Sequence, residues 1–173
     1  MCFRLYLASP LTLSEIRSML PEGIYADLLN PSLQRFFQDH LHRMKTAVLL
    51  RHGGCSCDLA GRRNPDEDAD ERTLRTRYRA MRVPRLQVIG ALERHRLRPR
   101  VPVTGPGHWA AELASFVVEH ARNAGAALFY LDFTPEEERM PEWSQAVREL
   151  RAAEVLKHPG SWLPETTPVV VMP

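Results

Sequence analysis

The stretch from His108 to Phe133 constrains the fold more than any other. Trp109, Leu113, Phe116, Val117 and His120 recur at helical spacing, Gly125 follows, and Ala126 to Phe133 is an apolar, β-rich run broken only by Asp132. A helix that must bury one stripe, ended by a glycine and joined directly to a buried strand, packs on the sheet that the strand enters. This junction predicts an α/β architecture.

The rest of the chain supplies partners for that sheet. Phe3 to Ala8 alternates as a strand, and Thr12-Leu13-Ser14-Glu15 is a capping-box pattern opening a helix with Leu13, Ile16, Met19 and Leu20 inward. Ile24 to Leu29 is a short strand, and after Asn30-Pro31-Ser32 the residues Leu33, Phe36, Phe37, His40, Leu41 and Met44 mark a second helix. Thr46 to Leu50 is a buried strand, ending at Arg51-His52-Gly53-Gly54-Cys55-Ser56-Cys57-Asp58. Asn64-Pro65-Asp66 then offers a turn before a helix carrying Leu74, Tyr78 and Met81, and Pro84 fits the first turn of another whose stripe is Leu86, Ile89, Leu92 and His95. Beyond the junction, a short helix around Trp143, Val147 and Leu150 precedes two strands, Ala153 to Leu156 and Thr167 to Met172.

The expected order is therefore β-α-β-α-β-α-α-α-β-α-β-β, a single mixed sheet of about five or six strands with helices packed on at least one face. A length of 173 residues, 44% of them hydrophobic, suits one domain spanning 1–173, with Arg96 to Gly107 as a loop inside it. No apolar run approaches the ~20 residues that cross a bilayer, so no membrane partner is expected. The N-terminus lacks the form of a signal peptide, and three cysteines are too few for a secreted disulfide framework, which together predict a cytoplasmic protein with reduced thiols.

The chemically distinctive segment is the cysteine turn. Two thiols one residue apart, after a glycine pair that lets the backbone fold back, can point toward one spot. Thiolate and imidazole are the ligands that zinc or copper(I) prefers, and Cys55, Cys57, Cys2 and His52 could supply four if the first strand lies beside Thr46 to Leu50. The same thiols could instead cycle as a redox pair. The plainer alternative is core packing, because free cysteine is among the most buried residue types.

Two other chemistries touch the same residues. If Met1 is removed, Cys2 carries its own α-amino group as a base, and the opening Met1-Cys2 plus strand resembles glutamine amidotransferases of the N-terminal nucleophile class, with Phe3 in place of their usual glycine. That resemblance implies an amidohydrolase with Cys2 as nucleophile. Leu49-Leu50-Arg51-His52-Gly53 resembles the strand-end motif of histidine phosphatases, which implies that Arg51 and His52 meet one phosphate, with His108 as the nearest late histidine. The second arginine stretch of that family is missing here.

Charge is uneven. The net charge is only +2, yet residues 62 to 100 hold twelve arginines against six acids. On two helices, Arg75, Arg79, Arg82 and Arg85 within the Arg72 to Arg100 segment could contact nucleic acid or an acidic partner. The acids Asp66 to Glu71 can pair with Arg72, Arg75 and Arg77, which favours a solvated face. His40, His95 and His120 lie on apolar helical faces, and Trp109, Trp143 and Trp162 suit a core. Over most of its length the chain resembles uncharacterised bacterial proteins that open with Met-Cys and a strand, continue with a Leu-Thr-Leu-Ser-Glu helix and carry a Cys-Ser-Cys-Asp turn; the resemblance brings no activity with it. The functional expectation is soft-metal binding or thiol redox at Cys55 and Cys57, with the arginine helices and the Cys2 amidohydrolase as alternatives.

Overall fold

The structure is a computed structural model that describes residues 2–40, 43–52, 56, 57, 59, 71–97, 108–134 and 146–173. Its elements in chain order are β1 (Cys2–Ser9), α1 (Leu13–Met19), β2 (Ile24–Leu28), α2 (Pro31–His40), β3 (Thr46–His52), α3 (Glu71–Ala80), α4 (Arg85–Leu97), α5 (His108–Ala124), β4 (Ala127–Thr134), β5 (Arg148–Arg151), α6 (Ala152–Lys157) and β6 (Val169–Met172). The strands form one mixed sheet of six in the order β2-β3-β1-β4-β6-β5, antiparallel throughout except for the parallel β5-β6 pair. It is the α/β arrangement that the helix–glycine–strand junction predicts. Gly125, at φ +76°, ends α5, and its N–H donates to the Ala121 carbonyl at 2.9 Å.

Contacts divide the chain into two compact units, residues 1–62 with 105–173, and residues 63–104. The first holds the sheet. Pleat alternation sends Leu5, Leu7, Val48, Leu50, Phe129, Leu131, Val169 and Val171 into a single apolar cluster with Ile16 of α1, Leu113, Phe116 and Val117 of α5, and Val155 of α6. The opposite face is smaller and more polar: Tyr6, Ala8, Ala47, Leu128 and Tyr130 pack with Phe37 of α2. The capping box at the start of α1 is present, with the Glu15 N–H donating to Thr12 Oγ1 at 3.3 Å and the Thr12 N–H to Glu15 Oε2 at 2.7 Å.

At the outer edge of the sheet, Arg17 of α1 donates from Nε and Nη2 to the Ala26 carbonyl of β2, at 3.1 and 2.9 Å. An edge carbonyl that would otherwise face water is thereby occupied.

Two expectations need correction. The helix expected around Trp143, Val147 and Leu150 is, over Arg148 to Arg151, a strand, with Trp143 outside the described residues, and the strand expected at Ala153 to Leu156 lies within a helix, Ala152 to Lys157. The backbone of β5 pairs in parallel with β6 and buries only Leu150, so three charged neighbours are no obstacle. Ala152 and Val155, three apart, form the buried face of α6, and Glu154 accepts the Arg151 N–H at 2.9 Å. The stripe expected on α4 also fails to turn inward. Leu92 is buried, but Leu86 is 83% and Ile89 45% exposed.

The second unit contains α3 and α4, which pack together. Leu74 and Tyr78 are buried, one turn apart on α3, while Arg72, Arg75 and Arg79 line its exposed side. After Ala80 the chain closes a Schellman motif: the Val83 N–H donates to the Tyr78 carbonyl and the Arg82 N–H to that of Arg79, each at 3.0 Å. Arg82 takes the left-handed position at φ +54°, where glycine is usual.

Candidate functional site

The condition for gathering the cysteines is met at the backbone level, because β1 and β3 are antiparallel neighbours with Leu5 opposite Leu50. The end of β3 that leads into the cysteine turn therefore lies beside the beginning of β1. Ser56 is bonded to both strands: its N–H donates to the Phe3 carbonyl at 3.4 Å and its Oγ donates to the Leu50 carbonyl at 2.5 Å. Ser56 is 1% exposed, so these bonds replace water that it would otherwise lose without compensation.

Cys57 follows and is 2% exposed, a member of the apolar cluster that contains Phe3, Leu5 and Leu50. Its surroundings are those of a packed side chain. Cys55 and Asp58 lie outside the described residues, as do the Gly53-Gly54 pair. Cys2 belongs to β1, with its backbone opposite Thr134 of β4. Among the described residues, no group of three or more His, Cys, Asp or Glu is arranged to hold a metal ion.

His52 is the last residue of β3, two positions beyond Leu50, where the sequence pattern ends the strand, and pairs with Ile24. Its ring is tilted by 38° against that of Trp109, at 4.4 Å between centroids. Gly23 completes this corner: a Cβ there would stand 3.1 Å from Trp109 Cη2 and 3.6 Å from His52 Cδ2, and its φ of +86° already excludes most side chains. Trp109 thus serves an aromatic stack at the rim of the core, and His52 is held by packing on two sides.

Arg51 and His52 do not converge. Consecutive strand residues project to opposite faces, and Arg51 accordingly forms an ion pair with Asp27 on the outer face, with its guanidinium 5.8 Å from the centre of the Tyr25 ring. The hydrogen bond to Asp27 raises the Arg51 pKa further. An arginine and a histidine on opposite faces cannot grip one phosphate as the phosphatase motif requires.

Sequence reading misses two buried polar groups. Ser9 and His120 are 111 residues apart, yet share a hydrogen bond of 2.8 Å between Oγ and Nε2, while the Leu11 N–H donates to the same Oγ at 3.0 Å. Burial holds the His120 pKa down at about 4, so its ring is neutral at pH 7, and Nδ1 has no partner among the described residues. Both side chains are fully buried, which denies a substrate access to the pair. It pins α5 to the end of β1. On the outer face, Arg4 is opposite Asp132 and Tyr6 opposite Tyr130, with the Tyr6 and Tyr130 rings stacked at 6.1 Å. Burial raises both phenol pKa values; nearby Asp132 adds to the effect, and Arg4 opposes it at Tyr6. The alternation of Arg4 with Tyr6, and of Tyr130 with Asp132, is the signal that could have revealed this polar face.

The arginines expected to bind a partner fall into two groups. Arg75 and Arg96 both pair with Glu71, at 2.6 and 2.7 Å, and hold its carboxyl below the usual range. Arg72, Arg79, Arg82 and Arg85 are exposed, and no carboxylate among the described residues pairs with them. No helix of the described chain is long and apolar enough to cross a membrane. The chain matches no protein-family model, no curated protein and no solved structure.

Proposed function

We propose that the protein holds a soft metal ion, zinc or copper(I), with Cys55 and Cys57 as principal ligands and Cys2 and His52 as the remaining candidates. The observation that supports this is the double attachment of Ser56, which lies between the two cysteines in sequence, to Phe3 next to Cys2 and to Leu50 two residues before His52. Thiolate and imidazole ligands suit either ion. The test is metal content after purification under reducing conditions, for the full chain and for Cys55→Ser and Cys57→Ser. A stoichiometric metal in the parent that falls by at least about tenfold in both variants supports the reading. Metal-free parent protein that also fails to take up added zinc or copper(I) rejects it, and alkylation of the thiols before and after mild oxidation then decides whether they act as a redox pair.

A second reading has its own observation. Arg72, Arg79, Arg82 and Arg85 are exposed on the α3–α4 unit, and among the described residues no carboxylate pairs with them, a basic surface suited to nucleic acid or an acidic protein. Binding that weakens with added salt is its signature.

A further inference from the structure

We infer that the corner between α3 and α4 docks an acidic amphipathic helix of a partner protein, an inference that rests on reading the arginine surface as a binding face. Charge alone would admit any polyanion. The apolar side chains beside it are more selective. Leu86 is 83% exposed and Ile89 45%, three residues apart on one face of α4, and Met81 in the preceding turn is 39% exposed. Arg82 stands in that turn and Arg85 at the first position of α4, next to Leu86 and one turn before Ile89.

A nucleic acid would satisfy the arginines and leave Leu86 and Ile89 in water, since the phosphate backbone offers them nothing apolar and the bases little beyond the thymine methyl group. An anionic bilayer could bury both side chains. Exposed Glu93 argues against it, being four residues after Ile89 and seven after Leu86 on the same face, where a bilayer lying along α4 would press a carboxylate among its headgroups. A helix of finite length matches all of these: apolar anchors over Leu86 and Ile89, carboxylates toward Arg79, Arg82 and Arg85, and an end short of Glu93. The conformation of Arg82 is consistent with such a role. A glycine at φ +54° would cost less, so the arginine holds its charge at the corner at the expense of stability.

Fluorescence anisotropy on the full chain tests this with a labelled helical peptide that carries leucines at i, i+3 and i+7, flanked by glutamates. Three competitors accompany it: the same residues scrambled so that the leucines share no face, a mixed-sequence DNA oligonucleotide, and phosphatidylserine vesicles. The expected result is saturable binding of the amphipathic peptide, weakened at least about tenfold by Leu86→Ser with Ile89→Ser, and by a comparable factor for Arg82→Gly with Arg85→Ala. Circular dichroism of each variant establishes that it is folded. Equal binding of the scrambled peptide, or indifference to the Leu86 and Ile89 changes, overturns the inference and leaves the basic surface standing. Preferential binding of the oligonucleotide or the vesicles overturns it in favour of that ligand. If nothing binds at low salt, the reading of the arginine surface falls as well.

Discussion

Helices α5 and α4 both hold apolar residues at helical spacing, segregated to one face in α5 and spread around the helix in α4, and they meet opposite fates. In α5 Leu113, Phe116, Val117 and His120 are buried against the sheet; in α4, of Leu86, Ile89 and Leu92, only Leu92 is buried. Periodicity states which residues share a face of a helix. It does not state whether anything covers that face, because cover depends on where the rest of the chain goes. For α5 the neighbour is fixed by the Gly125 turn into β4, whereas α4 follows a four-residue connection from α3 and has no strand next to it in sequence among the described residues.

The contrast is open to test by substitution. The largest effect is expected within α5. Phe116→Ala removes a side chain that is 2% exposed and should lower stability by about 3–5 kcal/mol in urea unfolding; a loss below about 1 kcal/mol would mean that α5 is no better covered than α4. Next comes His120. Its folded pKa of about 4 lies below the unfolded value of 6.5, so the unfolded chain takes up the proton first, and stability falls as the pH drops from 6.5 to 4 and levels off below that. The loss amounts to about 3 kcal/mol. His120→Gln, which can still bond Ser9, should remove this component, seen as a smaller difference in unfolding midpoint between pH 7 and pH 4.

Effects in the second unit are smaller and include one of opposite sign. Arg82→Gly should stabilise the chain by about 1 kcal/mol, because glycine adopts φ +54° without steric cost; a rise in melting temperature checks this. Leu86→Ser should change stability by less than about 0.5 kcal/mol, as expected of a side chain in water. A large loss there would show that the face is covered after all and would erase the contrast between the two helices.

Much of the sheet was legible in advance for the same reason that α5 was. Phe3 to Ala8, Ile24 to Leu29 and Ala126 to Phe133 are short β-rich runs, and each holds a strand whose ends differ by a residue at most. Residues 148–157 were misread because Arg-Glu-Leu-Arg offers one apolar side chain, too few to show a period, while Ala-Ala-Glu-Val-Leu reads as an apolar strand when only its composition is weighed. The site was legible in kind and not in geometry. Its residue types stand out in the sequence, but ending β3 at Leu50 hid the alternation that separates Arg51 from His52. The Ser9–His120 bond joins residues whose proximity only the packed fold creates, so no local pattern could announce it.

The clamp of Arg17 on the Ala26 carbonyl has a consequence for how copies of this chain meet. A bare outer strand is a template onto which a second chain can add its own, and repeated addition leads to fibres. By filling one acceptor position in the middle of a five-residue strand, Arg17 interrupts the ladder that an incoming strand would need. Copies crowded together at high concentration thus find no continuous seam along β2, and encounters between them fall to side-chain surfaces, where charge and shape can discriminate.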